Sequence, residues 1–217
     1  MYRIICMIIG FAFGCIPTGF IVARCYGKDI RKMGSGNTGF TNALRSLGKK
    51  AGAFTFAGDM IKTLIPLFIT AFLYGAAEET RFVVTMYTGL GAVLGHDFSP
   101  WLHFKGGKGI TSSGTLILFN DPRFFLLELG VVAVLAGISG YISLGSLAAA
   151  VIFIAGHIFL IVSGVQFGWS FYPQTFDPKY APELIVIVVV IGALAIWRHR
   201  ANIQRLLNGT ENKFLKK

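Results

Sequence analysis

The sequence predicts an all-α polytopic integral membrane protein, with seven transmembrane helices joined by glycine-rich cytoplasmic loops. Composition is the first reason, since 54% of the 217 residues are hydrophobic and only 14% are charged. The mean hydropathy of +0.65 is far above that of a water-soluble domain. Several apolar runs also approach the ~20 residues that a helix needs to cross a bilayer. We therefore expect residues 1–217 to form one integrated membrane domain, without a separate soluble domain.

Seven apolar runs are the predicted membrane spans. They cover approximately residues 4–23, 51–74, 82–94, 111–119, 124–138, 144–165 and 183–197. Pro17 interrupts the first run, and we expect a kinked end there because proline lacks the N–H of a continuous helix. The loop 166–182 contains aromatic residues and proline, which is typical of the membrane–water interface.

The distribution of positive charge predicts the orientation of these spans. Fifteen of the twenty lysine and arginine residues fall in segments 24–50, 105–108 and 198–217, four fall on the opposite side, and Lys62 lies inside a span. Lysine and arginine accumulate on the cytoplasmic side of membrane proteins. We therefore expect the N-terminus outside and the C-terminus in the cytoplasm. The short fourth run must then cross as well, since otherwise the basic tail would end outside.

The stretch from Gly34 to Arg45, GSGNTGFTNALR, has the features of an anion-binding loop. Glycines such as Gly36 allow the backbone to turn its N–H groups toward a ligand, and Ser35 and Asn37 add polar side chains. The second half can form a short helix closed by Gly48, with an anion at its N-terminus. The alternative is an ordinary polar loop between two spans.

A second glycine-rich stretch, GHDFSPWLHFKGGKGI from Gly95 to Ile110, carries Lys105 and Lys108. Ammonium groups combined with glycine backbone N–H groups are suited to holding a phosphate. The alternative is a flexible cytoplasmic loop whose lysines face lipid headgroups. His96 and His103 precede the lysines. A single histidine is more often a structural hydrogen-bonding group than a base, and His103 is interpreted in this way, whereas the role of His96 stays open.

Three further sets of polar residues lie at or near the predicted spans. His199 and Asn202 share one face if the last span continues as a helix. A positively charged membrane anchor explains the arginines of the tail, but it does not explain this histidine and asparagine. Asp59 and Lys62, three residues apart, are interpreted as a structural ion pair near the cytoplasmic end of their span. Ser143 is interpreted from its position as the N-cap of the sixth span.

Several common enzyme classes lack support in the sequence. It contains no phosphate-binding loop of the GxxxxGK[ST] type, no HExxH zinc helix and no Cys/His cluster. No histidine is followed five positions later by aspartate, the signature of common acyl-CoA-dependent acyltransferases. Cys6, Cys15 and Cys25 have no metal-like spacing and are interpreted as apolar fillers. A hydrolytic or metal-dependent mechanism therefore has little basis, whereas cationic donors are abundant.

Taken together, four motifs resemble those of the bacterial membrane glycerol-3-phosphate acyltransferases that use acyl phosphate, the PlsY family. They are GSGNTGFTNALR, GDMIK, GHDFSPWLHFKGGKGI and RHRANIQRLLNGTE, in the same order and at similar spacing. The resemblance implies seven helices and a cytoplasm-facing site. It implies transfer of a fatty acyl group from acyl phosphate to the 1-hydroxyl of sn-glycerol 3-phosphate, giving lysophosphatidic acid and phosphate. No metal or coenzyme is expected.

The resemblance also assigns site residues. Ser35, Arg45 and Lys105 match phosphate-binding positions, Ser143 matches a serine at the start of a later helix, and His199 and Asn202 match the tail motif. With the residues of the two glycine-rich stretches added, the predicted substrate-binding set is Ser35, Gly36, Asn37, Arg45, Lys105, Lys108, Ser143, His199 and Asn202. The predicted catalytic residues are His199, Asn202 and Lys105. The deprotonating base is either the phosphate of the substrate or His199.

Two residues of the first motif, Thr38 and Phe40, depart from the family pattern, and Phe40 is expected to narrow the site or shift the acyl preference. The expected partners are glycerol 3-phosphate, acyl phosphate and membrane lipid, with no nucleic acid, and the chain is expected to be a monomer. The expected location is the bacterial inner membrane. Two other functions stay open at this point, namely a transporter of a phosphorylated metabolite and a non-catalytic membrane partner.

Overall fold

The computed structural model describes residues 1–165, 167–169 and 172–214. Its helices are α1 (Tyr2–Gly14), α2 (Thr18–Cys25), α3 (Phe40–Leu47), α4 (Lys49–Tyr74), α5 (Arg81–Asp97), α6 (Ile110–Asn120), α7 (Pro122–Ser139), α8 (Ile142–Ser163), α9 (Ala181–Arg198) and α10 (Arg200–Leu207). Short 3-10 turns lie at Ile30–Lys32, Glu78–Thr80, Pro100–Leu102 and Pro178–Tyr180. Lys216 and Lys217, which contribute to the charge of the tail, lie outside the described residues.

A helix lies at each of the seven positions where the sequence predicts a span. Within the described part of the chain, five helical segments are long and apolar enough to cross a membrane: Tyr2–Cys25, Lys49–Tyr74, Pro122–Ser139, Ile142–Ser163 and Pro178–Arg198. The other two are shorter, with 17 residues in α5 and 11 in α6. An 11-residue helix is about 16 Å long, which is about half the thickness of the hydrocarbon core.

The first predicted span is broken where proline was expected to interrupt it. Helix α1 ends at Gly14, and α2 begins at Thr18, directly after Pro17. The carbonyl oxygen of Ile16, at the break, accepts hydrogen bonds from the backbone N–H of Thr18 at 3.0 Å and from the ammonium group of Lys62 on α4 at 2.9 Å. The predicted kink is therefore confirmed, and a buried cation adds a second hydrogen bond to the backbone at the break.

The chain is mostly helical, as the all-α prediction expected, but one predicted loop contains β-structure. Strands β1 (Phe167–Trp169) and β2 (Tyr172–Gln174) form an antiparallel two-stranded hairpin in which Phe167 pairs with Gln174. This hairpin lies in the aromatic loop 166–182. Residues 166, 170 and 171 of that loop lie outside the described residues. A short hairpin with two prolines nearby has almost no alternating pattern, so the sequence gives little indication of it.

Helix α5 lies at the centre of the bundle. Most of its residues are buried, and Phe82 and Met86 belong to the main apolar core together with Leu116 of α6 and Leu184 of α9. Its contact with α1 is very close, because a Cβ added at Gly10 would lie 2.0 Å from the carbonyl oxygen of Thr88. Small residues allow membrane helices to approach through their backbones in this way. The close packing fixes the C-terminal end of α5, where the second glycine-rich stretch begins.

The predicted ion pair between Asp59 and Lys62 is confirmed, with 2.8 Å between the carboxylate and the ammonium group. Both side chains are almost fully buried, and Lys62 also donates to Nδ1 of His96 at 2.9 Å. Thr18 donates to the same carboxylate. This cluster joins α2, α4 and α5 beneath the two glycine-rich stretches, where an unpaired charge inside the membrane would be costly.

Candidate active site

A cavity of about 210 Å³ lies between the two glycine-rich stretches, helices α6, α7 and α8, and the tail. Residues far apart in the sequence meet on its wall. Of the predicted site residues, those that line it are Ser35, Asn37, Arg45, Lys108, Ser143, His199 and Asn202.

Two predicted site residues do not line this cavity. Gly36 forms the turn of the first stretch with φ of +72°, and its N–H donates to the carbonyl oxygen of Met33 at 2.9 Å. Lys105 is exposed, and its backbone N–H closes a turn on Leu102 at 3.0 Å. The lysine that the structure brings together with the other predicted residues is Lys108, three positions later.

Ser143 differs from its interpretation as a helix cap. The N-cap of α8 is Tyr141, and Ser143 is the second residue of the helix. Its hydroxyl oxygen is buried and has no hydrogen-bond partner among the described residues. The side chain is therefore free to bind a ligand in the cavity that it lines.

The first glycine-rich stretch is held in shape by the buried side chain of Asn42. Its oxygen accepts a hydrogen bond from the backbone N–H of Ser35 at 3.0 Å, and its amide donates to the carbonyl oxygens of Met33 at 3.0 Å and Asn37 at 2.8 Å. The side chain of Asn37 accepts from the N–H of Gly39 at 2.9 Å. Both asparagines thus satisfy loop backbone groups and hold the stretch at the cavity wall.

The second stretch packs directly on the end of α5. The N–H groups of Gly106 and Gly107 donate to the carbonyl oxygens of Asp97 and His96 at 3.1 and 3.0 Å. A Cβ at Gly107 would lie 1.8 Å from Nε2 of His96, so a larger residue does not fit there. From the other side, Arg198 of α9 donates to the carbonyl oxygens of both glycines at 2.6–3.0 Å. These contacts fix the chain that leads to Lys108.

The N-termini of two helices face the cavity. Gly39, Phe40 and Thr41 at the start of α3 and Ile110 and Thr111 at the start of α6 all line it. The first backbone N–H groups of a helix have no partner within the helix and carry partial positive charge. Such ends are established anion-binding elements. The predicted short helix closed by Gly48 is confirmed as α3.

A chain of hydrogen bonds orders the cationic side of the cavity. The ammonium group of Lys108 donates to Oδ1 of Asn202, and the amide of Asn202 donates to Glu211 at 2.9 Å. The other oxygen of Glu211 accepts from Nε of Arg205 at 2.7 Å. Burial, together with the nearby charge of Arg205, lowers the pKa of Lys108 to about 8. Lys108 is therefore held in place, with two of its three N–H donors unused by this bond.

Arg45 reaches the cavity from the last turn of α3. Its Nη2 is 3.4 Å from the carbonyl oxygen of Asn212, the single hydrogen bond described for its side chain. Its Nε is buried without a partner in the described part of the chain. A guanidinium group has five N–H donors in a planar fork that matches a phosphate. Arg45 thus brings a largely unused set of donors to the cavity.

His199 lies between α9 and α10 and is buried. Its Nδ1 is 2.8 Å from the carbonyl oxygen of Ala195. A carbonyl can only accept, so Nδ1 carries the proton and Nε2 is left as an acceptor. Burial and the nearby charge of Lys108 lower the pKa of His199 to about 4. The imidazole is therefore neutral at pH 7 and can accept a hydrogen bond from a hydroxyl group.

Much of the remaining wall of the cavity is apolar. Phe56, Phe125, Leu129 and Val132 line it, as does Phe40, whose ring centroid lies 5.4 Å from that of Phe56. The cavity therefore combines a cationic end with a hydrocarbon-like end. This division matches a ligand with a phosphate group and a fatty chain.

Sequence reasoning missed three groups at this site. Glu211 bridges Asn202 and Arg205, but a single acid in a basic tail carries no signal of its burial. Asn42 looks like any other polar loop residue until its contacts are known. Glu128 lines the cavity from α7, and an acid in the middle of a predicted span was a signal available in the sequence. Among the described residues, no group of three or more His, Cys, Asp or Glu side chains could hold a metal ion.

Comparison with known proteins identifies close relatives over nearly the whole chain. A family model described as glycerol-3-phosphate acyltransferase matches residues 4–209. The glycerol-3-phosphate acyltransferase of Trichlorobacter lovleyi is 38% identical over 204 residues, which cover 94% of this chain and 93% of the relative. The protein of the same name from Aquifex aeolicus is 35% identical over 218 residues, which cover 99% of this chain and 100% of the relative.

Solved structures agree with these sequence matches. A crystal structure of PlsY (YgiH), described as an integral membrane glycerol 3-phosphate acyltransferase in its glycerol 3-phosphate form, superposes with a TM-score of 0.79. It is 34% identical, and the match covers 99% of this chain and 96% of that one. The lysophosphatidic acid form of the same protein gives a TM-score of 0.75. This chain is thus a membrane protein that belongs to the glycerol-3-phosphate acyltransferase family.

Proposed function

We propose that the cavity is the active site in which this chain transfers a fatty acyl group from acyl phosphate to the 1-hydroxyl of sn-glycerol 3-phosphate. The products are lysophosphatidic acid and phosphate. As a member of its family the chain is a glycerol-3-phosphate acyltransferase, an enzyme of phospholipid synthesis. One observation carries the assignment to this cavity: two segments far apart in the chain face it, Arg45 with the start of α3 and Lys108 with the start of α6.

In this proposal the cationic end binds the phosphate groups of both substrates. Lys108 and Arg45 supply charged donors, and Ser35 and the helix N-termini supply neutral ones. Lys108 takes the phosphate-binding and catalytic role that the sequence assigned to Lys105. The side chains of Asn37 and Asn202 act mainly by holding the first stretch and Lys108 in position.

The proposed reaction needs positioning more than a strong base. The 1-hydroxyl oxygen of glycerol 3-phosphate attacks the acyl carbon, the bond from that carbon to the phosphate oxygen breaks, and phosphate leaves with the bonding electrons. Nε2 of His199 accepts the hydrogen bond of the attacking hydroxyl and orients it, while a substrate phosphate takes up the proton. Because acyl phosphate has a good leaving group, proximity and charge stabilisation supply most of the catalysis.

The apolar end of the cavity is the proposed groove for the acyl chain. Phe40 lies where this groove meets the phosphate end and packs against Phe56. A ring at this position would limit the width available to the first carbons of the chain. The expected influence of Phe40 on acyl preference thus stays a prediction.

We further propose seven crossings in one domain, with the N-terminus outside and the C-terminus in the cytoplasm of the bacterial inner membrane. The concentration of cations in the two glycine-rich stretches and the tail supports this orientation. Most residues of the short helix α6 are buried inside protein instead of facing lipid, so its crossing does not need the full length of a lipid-exposed span. The chain is proposed to act as a monomer whose partners are its two substrates and membrane lipid.

Purified protein in detergent is expected to form lysophosphatidic acid from glycerol 3-phosphate and palmitoyl phosphate, and not from palmitoyl-CoA. The donor's phosphate fits the cationic end of the cavity, whereas the sequence lacks the His–x4–Asp signature of common acyl-CoA enzymes. Product is measured by mass spectrometry, with heat-denatured protein as the control. No product with either donor would contradict the proposal, and uptake of glycerol 3-phosphate into proteoliposomes without product would favour a transporter.

Binding of glycerol 3-phosphate is expected to weaken as the pH rises above 8. The pKa of Lys108 is lowered to about 8 by burial, so the ammonium group loses its charge above that pH. Below that value Lys108 is charged and the affinity is highest, provided the phosphate is also ionised. Above it, the Kd is expected to rise by up to about tenfold per pH unit.

Isothermal titration calorimetry in detergent without the acyl donor measures this dependence. The matched control is Lys108→Arg, because a guanidinium group stays charged over the whole range and should leave the Kd nearly constant. Equal affinities of the unmodified protein at about pH 7 and about pH 10 would show that Lys108 does not bind the phosphate.

A further inference from the structure

Glu128 has an unusual position on the outer helix α7. Of the residues Pro122–Ser139, all of which the structure describes, Glu128 is the only buried one, with 4% of its surface exposed. The neighbouring Leu126 and Leu127 are 66% and 54% exposed, as expected for side chains that face lipid. A helix that faces lipid along most of its length thus directs a carboxyl group inward.

No group of the described chain compensates this carboxyl group. Oε2 of Glu128 is buried without a hydrogen-bond partner, and none of the ion pairs among the described residues includes Glu128. Oε2 lies 3.7 Å from the position of a Cβ at Gly114, with the ring of Phe125 on the same side. An ionisable group at this depth is costly, and such groups in membrane proteins generally serve a function.

The carboxyl group points into the cavity, where other polar groups also lack a full set of partners. Thr115 of α6 and Ser146 of α8 donate their hydroxyl protons to backbone carbonyls at 2.7 and 3.1 Å, so their oxygens can still accept. The hydroxyl of Ser143 has no described partner. All of these residues line the same cavity as Glu128. They form a polar patch on an otherwise apolar wall.

The position of this patch limits what it can bind. Oε2 of Glu128 lies beside Gly114 of α6, which follows Ile110 by four residues. Four helical residues span about 6 Å, so the carboxyl group lies about 6 Å deeper than the start of α6 at the cationic end. A phosphate is excluded there by the lack of cationic partners. A metal ion is excluded because the described residues contain no cluster of acids, histidines or cysteines at this place. A neutral hydroxyl group, which can both donate and accept, is the ligand that suits a carboxyl group beside hydroxyl oxygens.

We propose that Glu128 forms a subsite that binds a hydroxyl group of a substrate, between the phosphate end and the apolar end of the cavity. The hydroxyl is either the 2-hydroxyl of glycerol 3-phosphate or a hydroxyl carried by the acyl chain. This inference rests on the proposed function. It makes Glu128 a residue that determines specificity and leaves the acyl transfer step itself to the groups at the cationic end.

Ratios of kcat/KM within two substrate pairs test the proposal. The acceptor pair is glycerol 3-phosphate and propane-1,3-diol monophosphate, which lacks the 2-hydroxyl, and the donor pair is 3-hydroxypalmitoyl phosphate and palmitoyl phosphate. The unmodified protein is expected to prefer the hydroxyl-bearing member of one pair by about tenfold, the effect of one good hydrogen bond. The pair that shows the preference identifies the source of the hydroxyl.

Glu128→Leu is expected to remove this preference, giving a ratio of about one. Glu128→Gln is expected to keep part of the preference, because an amide also forms hydrogen bonds. Leu127→Ala, on the lipid-facing side of the same helix, is the matched control and should keep the full preference. A ratio is independent of the fraction of folded protein, and Glu128→Ala replaces the leucine variant if that one does not fold. Unchanged ratios in both pairs would overturn the proposal. Lack of any product from the unmodified protein would contradict the proposed function instead.

Discussion

Replacing Lys108 by alanine is expected to lower kcat/KM for lysophosphatidic acid formation by about a hundredfold to a thousandfold, the usual effect of removing one charge-stabilising donor from an active site. Replacing Lys105 by alanine should leave kcat/KM within about threefold of its original value. The two lysines belong to the same stretch, three positions apart. Lys108 lines the cavity and contacts Asn202, whereas Lys105 is exposed. Comparing the two alanine variants therefore distinguishes a specific role in the cavity from a general effect of positive charge.

Steady-state rates with glycerol 3-phosphate and palmitoyl phosphate measure this difference. Loss of Lys108 also leaves Oδ1 of Asn202 without its donor, so thermal unfolding in detergent must show that the variant is folded. A Lys108→Ala protein that is folded and retains nearly full activity would contradict the phosphate-binding role. A large loss with Lys105→Ala would restore the assignment made from the sequence.

The sequence alone could not predict which of these two lysines lines the cavity. FKGGKG predicts a phosphate-binding loop, but five glycines and lysines in a row leave the path of the chain undetermined. That path is fixed by contacts with distant residues, namely the guanidinium group of Arg198 and the carbonyl oxygens at the end of α5. Only these contacts determine that Gly106 and Gly107 turn inward and that Lys108 follows them into the cavity.

The helices themselves were predictable because their signal is local. Each apolar run that was interpreted as a span contains a helix, and the interruption at Pro17 lies where α1 ends and α2 begins. The hairpin of β1 and β2 was not predictable, since three-residue strands carry almost no periodic signal. The buried pairing of Glu211 with Arg205 was likewise hidden, because it requires the tail to fold back after α10.

The glycine pattern of α1 and α5 carried a signal that was not used. Gly10 and Gly14 on α1 face Gly91 and Gly95 on α5, each pair four residues apart, and a Cβ at any of them would lie 2.0–2.3 Å from a backbone oxygen of the other helix. This is the small-residue spacing of closely packed membrane helices. It places α5 at the centre of the bundle, and α5 in turn supports the second glycine-rich stretch.

Replacing Arg45 by alanine is expected to lower kcat/KM by at least about a hundredfold, and Arg45→Lys by about tenfold. The side chain has one long hydrogen bond to Asn212 and a buried Nε without a described partner, so most of its donors are available for a phosphate. Alanine removes both the charge and the planar fork. Lysine keeps the charge but cannot form the paired hydrogen bonds, so its intermediate activity would separate the two contributions.

Arg200→Ala is the matched control, because Arg200 is an exposed arginine on the basic tail, it does not line the cavity, and its described hydrogen bond is to the carbonyl oxygen of Trp197. The rates should be measured over a range of glycerol 3-phosphate concentrations. If Arg45 holds the phosphate of glycerol 3-phosphate in both the ground state and the transition state, KM rises and kcat changes little. If it holds the departing phosphate of the donor, kcat falls instead. Nearly normal values of both constants in Arg45→Ala would contradict its proposed role and leave Lys108 and the helix N-termini as the phosphate-binding groups.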